Sequence, residues 1–163
     1  MKPVFKFALR QDLVNNKEFL PTKAEPSATG WDVRCAEQDG ISLKPGQYFK
    51  IRLGFRAFVP EGWWYQLHPR SSSVLKKNMH ALIGIIDEHY PNELIFAGQY
   101  LPYVDKNLDK DYDLLIKFGE AIGQIIPVKR VEMVREETTN EEMDRLLASR
   151  ESMRIGGFGS TDK

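Results

Sequence analysis

Strand-like stretches in this chain are short and closely spaced, each bounded by Gly, Pro, Asn or Asp. They cover residues 2–9, 31–35, 47–58, 63–68, 81–86, 94–96, 114–118 and 122–134. Recurrence at that interval predicts an all-β sandwich or barrel rather than alternating βα units, whose helices need longer apolar periodicity between strands. The segments 43–46 (Leu-Lys-Pro-Gly) and 60–62 (Pro-Glu-Gly) read as tight turns, Pro presetting one backbone angle and Gly supplying another. Two stretches depart from the pattern. Residues 104–113 (VDKNLDKDYD) read as a charged surface loop or hairpin tip. Beyond Arg135, Thr139 with Glu142 forms a capping-box pair, and Met143, Leu146 and Leu147 follow at helical spacing, predicting one short helix. Three glycines within residues 156–159 then predict a flexible C-terminal tail, so that a β domain spans 1–153 and the tail 154–163.

Composition decides what such a domain can bind. With 23 Lys and Arg against 23 Asp and Glu the net charge is zero, which argues against a polymeric nucleic-acid partner, whose affinity comes largely from neutralised phosphates. At 42% hydrophobic and 28% charged, the chain can bury a core, which excludes wholesale disorder. No run approaches a membrane span, and residues 1–12 mix charges with short apolar pairs, so a cytoplasmic location without a membrane partner is expected. Cys35 is the single cysteine and is expected to be a buried core thiol. His68, His80 and His89 lack metal-ligand spacing.

Four segments combine permissive backbone with polar groups. Pro69-Arg70-Ser71-Ser72-Ser73 sets a guanidinium beside three hydroxyls, which suits either a phosphate clasp or a solvated corner. Residues 84–90 (GIIDEHY) run from an apolar strand into Asp87, which fits a base or water-orienting carboxylate and equally an Asp opening a hairpin turn. Within residues 119–124 (GEAIGQ), Gln124 is either a half-buried strand residue or a site amide. The tail around Gly156 lacks the Lys of a phosphate loop; its Arg and Phe suit a flap that meets a phosphate and stacks on a base.

In order and spacing these segments, with Ala28-Thr29-Gly30-Trp31-Asp32-Val33 ahead of them, resemble the five motifs of the trimeric dUTPase family, from residue 25 almost to the end of the chain. The resemblance implies a jelly-roll-like β-clip subunit and a homotrimer with active sites shared between subunits. It implies hydrolysis of dUTP to dUMP and pyrophosphate, with Mg²⁺ held largely by the triphosphate, limiting uracil in DNA and supplying dUMP for dTMP synthesis. By position, Asp87 would orient and deprotonate the water attacking the α-phosphorus and meet the sugar 3′-OH. Tyr90 would pack under the deoxyribose, and the backbone of Gly84, Ile85 and Ile86 would read the uracil edge. Arg70, Ser71, Ser72 and Gln124 would contact phosphates or the water around them, Gln124 counting with Asp87 as catalytic. Asp32 would approach the metal through waters. From the tail, Phe158 would stack on uracil and Arg154 would meet the terminal phosphate, with Gly159 and Ser160 also binding substrate.

Three positions depart from the family pattern. Asn92 stands where the motif with Asp87 usually ends in Gly, and Asn tolerates the left-handed backbone that position needs. Met153 occupies the usual place of the tail arginine, leaving Arg154 one residue late and Arg150 as a substitute. Ala121 replaces an Arg, and the loop 104–113 is long enough to be a candidate surface for another partner. The related dCTP deaminases would carry an Arg and a Glu where Leu75 and Phe96 stand. A nucleotide-responsive regulatory protein on the same fold is the alternative from a different class.

Overall fold

A computed structural model describes residues 2–108 and 110–150. The chain divides into two units, Met1–Val131 and Glu132–Lys163. The first is all-β: β1 (Lys6–Leu9), β2 (Trp31–Arg34), β3 (Ile41–Leu43), β4 (Tyr48–Arg52), β5 (Phe55–Phe58), β6 (Trp63–Pro69), β7 (Met79–Ala81), β8 (Gly84–Ile86), β9 (Ile95–Tyr100), β10 (Leu114–Ile116) and β11 (Ala121–Lys129). A one-turn helix α1 (Ser71–Leu75) follows β6. All pairings are antiparallel, in the orders β2-β11-β6-β8, β4-β9-β7, β1-β5 and β3-β10. Period-two burial builds the core: β4 turns Phe49 and Ile51 inward and Tyr48, Lys50 and Arg52 outward, while β6 contributes Tyr65 and Leu67. Val33, Cys35, Leu53, Phe55, Phe96 and Ile122 join them in one cluster. Cys35 is fully buried, as expected, and burial pushes its thiol pKa up.

Tertiary contacts redraw several of the expected strands. The run 47–58 splits into β4 and β5 at Gly54, whose φ of 78° breaks the extended chain; a Cβ there would stand 2.8 Å from that of Ala36 and overlap Leu13. The run 81–86 splits because the chain leaves β9 after Leu82, whose N–H donates to the Ala97 carbonyl at 2.9 Å, and joins β6 at Gly84; the side chains of Leu82 and Ile83 between the two sheets are exposed. The run 122–134 begins one residue early and stops at Lys129, whose partner Trp63 opens β6; past it the Arg130 N–H still donates to the Gly62 carbonyl at 2.8 Å, in the turn before β6. β1 starts at Lys6 rather than at residue 2, and β9 extends through Tyr100 because β4 and β7 pair with its two edges. β3 has no counterpart among the expected strands, because its three residues carry too little periodicity. The described part of the loop 104–113 contains no strand, and its Tyr112 carbonyl accepts a hydrogen bond from the Tyr100 hydroxyl at 2.8 Å.

In the second unit α2 (Asn140–Ala148) is the expected helix, with Thr139 as N-cap accepting from the Glu142 N–H at 3.2 Å. Among the described residues, no helix is long and apolar enough to cross a membrane.

Candidate active site

Three of the sequence motifs meet in one polar cavity of about 310 Å³. β2 and β11 pair so that Asp32 lies opposite Gln124, and His68 of β6 is the next residue in the same row. The Gln124 side chain lies over Gly30, where a Cβ would collide with its amide, and donates from Nε2 to the Pro69 carbonyl at 3.4 Å. Arg70 enters from the far side: its Nε is 3.4 Å from Asp32 Oδ1, with both side chains partly exposed. Ser71 completes the polar lining. The cavity is therefore a guanidinium, a carboxylate, a hydroxyl and an amide around a site open to solvent, a set suited to phosphate oxygens.

A β-bulge makes this arrangement. Between Ala121 and Gly123 the register of β11 against β2 shifts, leaving Ile122 without a rung. Its carbonyl accepts instead from the hydroxyl of Ser73 at 2.7 Å and from the Arg70 N–H at 3.4 Å. Ser73 is almost wholly buried, so the three serines divide by role: Ser73 anchors α1 to the bulge, whereas Ser71 is exposed and Ser72 half-buried. Lys77, just beyond α1, pairs with Glu120 in the turn that opens β11; burial first, and then the charge of Arg70, pushes its pKa down. Neither Lys77 nor the anchoring role of Ser73 was legible beforehand, because both depend on the bulge bringing α1 against β11.

The motif containing Asp87 lies elsewhere in the chain. β8 is the edge of the sheet, so among the described residues no strand pairs with the outer backbone edge of Gly84, Ile85 and Ile86, and Ile85 is exposed. Following the pairings across β6 and β11, Asp87 stands three strands over and four rows along from Asp32, roughly 20 Å at ordinary strand spacing and rise. Asp87 opens a turn closed by the Tyr90 N–H on its carbonyl at 3.1 Å; its side chain is exposed rather than buried at the strand end. Tyr90 packs against the core cluster. The sequence-predicted residues Arg154, Phe158, Gly159 and Ser160 lie outside the described residues. Among the described residues no group of three or more His, Cys, Asp or Glu side chains could hold a metal ion.

No protein-family model matches the chain. The deoxyuridine 5′-triphosphate nucleotidohydrolase of Hydrogenobaculum sp. is 32% identical over 148 residues, covering 87% of this chain and 89% of its own. That of Aquifex aeolicus is 33% identical over 118 residues, covering 70% and 73%. Among solved structures, a mutant dUTPase of phage 80alpha superposes with a TM-score of 0.73 at 18% identity, covering 99% of this chain and 100% of that one. A mutant dUTPase from phage phi11 of S. aureus, described with a structural Mg(II) ion, does so with a TM-score of 0.70 at 17% identity over 84% and 97%. These structural likenesses establish the β-clip, jelly-roll-like fold. From the identity to the first two enzymes over most of their length, the chain belongs to the deoxyuridine 5′-triphosphate nucleotidohydrolase (dUTPase) family.

Proposed function

We propose that this protein hydrolyses dUTP to dUMP and pyrophosphate, with the triphosphate in the cavity lined by Arg70, Ser71 and Gln124. The observation that carries this reading is the convergence of three separate motifs on that cavity in a chain of the dUTPase family. Asp87 accepts a proton from water as the oxygen attacks the α-phosphorus, and pyrophosphate leaves from the opposite side. Arg70, with Ser71, Ser72 and Gln124, neutralises and positions the phosphates, the usual source of rate in phosphoryl transfer. The unpaired edge of Gly84–Ile86 suits pairing with uracil, and the Tyr90 ring suits a deoxyribose without a 2′-OH. Arg154, Phe158, Gly159 and Ser160 are assigned to closure over the bound nucleotide.

The separation of Asp87 from Asp32 supports a homotrimer. A nucleotide cannot bridge roughly 20 Å between its α-phosphate and its other phosphates, so the Asp87 of one subunit would complete the cavity of another. The donor set fits Mg²⁺ held mainly by substrate: Asp32 is a single carboxylate beside hydroxyl and amide oxygens, and Mg²⁺ commonly keeps waters while taking one or two carboxylates plus phosphates. Bound there, it would neutralise charge on the triphosphate. Deamination of dCTP is disfavoured, since Phe96 is fully buried and stacked on Phe49, where a carboxylate could not stand.

The test is pyrophosphate release from dUTP, dCTP, dTTP and UTP in the presence of Mg²⁺, with ammonia followed in parallel. Release from dUTP alone is expected. The Asp87→Asn variant is expected to lose turnover while still binding a non-hydrolysable dUTP analogue; wild-type turnover would remove Asp87 from the mechanism.

A further inference from the structure

The turn that bears Asp87 is tied down by the residue next to it. Glu88 is one of the least exposed carboxylates in the structure, its side chain only 10% accessible. Its Oε2 accepts from the Gly62 N–H at 3.0 Å and from Arg130 Nη1 at 2.7 Å. The Arg130 N–H in turn donates to the Gly62 carbonyl at 2.8 Å. Three segments therefore meet on one carboxylate: the turn entering β6, the end of β11 and the turn leaving β8. Asp87 itself is exposed, so its orientation is inherited from the backbone of its turn. The other end of this segment is held independently, because Glu93 accepts from Arg10 Nη1 at 3.0 Å and from the Gly54 N–H at 2.8 Å.

We propose that Glu88, braced by Gly62 and Arg130, is a positioning residue that aims Asp87 at the attacking water. This rests on the reading of Asp87 as the base. A partly buried carboxylate with two charge-assisted or backbone donors holds its neighbour's backbone far more tightly than a solvated turn would. Releasing it leaves the core and the Glu93 tether intact, so the loss falls on the geometry of Asp87 rather than on the fold. Rate is sensitive to such looseness, a displacement of about 1 Å being worth on the order of 100-fold.

The experiment compares the full-length wild type with Glu88→Ala, Asp87→Asn and the double variant, using steady-state dUTP hydrolysis and binding of the non-hydrolysable analogue. Glu88→Ala is expected to lower kcat by on the order of 10- to 100-fold, with KM and analogue affinity within about threefold of wild type. The double variant is expected to be no slower than Asp87→Asn, since Glu88 acts only through Asp87. Should Glu88→Ala fail to fold, Glu88→Gln keeps the shape and the Gly62 acceptor while discharging the Arg130 pair, and a kcat loss of about threefold or more at unchanged KM is expected. The proposal is overturned by a kcat within twofold of wild type for a folded Glu88→Ala (for Glu88→Gln if Ala does not fold), by a loss carried in KM, or by a double variant slowed by the full Glu88 factor. Wild-type turnover by Asp87→Asn would overturn the assignment of the base as well; an inactive Asp87→Asn beside a fully active Glu88→Ala overturns the positioning role alone.

Discussion

Replacing Ser73 by Ala isolates the contact that mounts α1 on the sheet. The hydroxyl donates at 2.7 Å to the carbonyl of Ile122, and Ser73 is only 1% exposed. A net hydrogen bond of this kind is worth about 1 kcal/mol, and the buried acceptor it leaves behind adds a penalty of about 1–3 kcal/mol. The Arg70 N–H, 3.4 Å from the same carbonyl, offsets only part of that. We therefore expect Ser73→Ala to destabilise by about 1–3 kcal/mol. In a chain of this length each kcal/mol lowers Tm by about 2–4 °C, so the expected fall is roughly 2–12 °C. Thermal melts at one fixed protein concentration measure it, so that any self-association weighs equally on both proteins. The comparison is Ser71→Ala, whose side chain is exposed in the cavity: its Tm should stay within about 2 °C of wild type while KM for dUTP rises. If Ser73→Ala melts with the wild type, or Ser71→Ala proves the less stable of the two, the division of labour among the serines is wrong.

Gly30→Ala would force the Gln124 side chain off its position above the β2 entry, and a loss of tenfold or more in kcat/KM is expected with little change in Tm, because the obstructing atoms are a flexible amide. Gly54→Ala should be among the most damaging single methyl additions: the left-handed backbone costs about 1–2 kcal/mol, and crowding against Ala36 and Leu13 adds about 1–3, which denaturant unfolding would register as a lowered midpoint. Acid should weaken the fold in part through Asp12, which Arg10 holds below its ordinary 3.8, at about 2. The folded-state value is depressed, so this stabilisation is present above the unfolded-state value and is lost as pH falls from about 4 through 2. Asp12→Asn should flatten the stability-versus-pH curve in that window, and an unchanged slope would count against the Arg10 pairing.

What was legible beforehand was local. Thr139 and Glu142 announced α2 because a cap needs only two residues three apart, and the Pro and Gly of residues 43–46 announced a turn because each acts through its own backbone angles. Arg70, Asp32 and Gln124 come to one substrate site in the sequence only through the family resemblance; nothing in their own segments shows that they border one cavity. The runs 47–58 and 81–86 are each continuous in hydrophobicity, which does not register a change of partner; only the left-handed backbone at Gly54 and the passage of the chain from β9 to β6 divide them. Glu88 resembled any charged turn residue, since its partners Gly62 and Arg130 lie 26 and 42 positions away.

Taken by itself, the sequence determined that short strands with period-two burial would form a β domain, and it determined the order of motifs that marks the dUTPase family, since both are properties of neighbouring residues. Its zero net charge argues against a polyanion partner and leaves local cations such as Arg70 as candidates to meet a phosphate. The tertiary structure decided which motif residues share a cavity, which serine is structural, and that Asp87 stands far from Asp32 within one chain. These outcomes depend on strand register, on the bulge at Ile122 and on the sheet order β2-β11-β6-β8, and each couples residues distant in the chain through packing that no local pattern encodes.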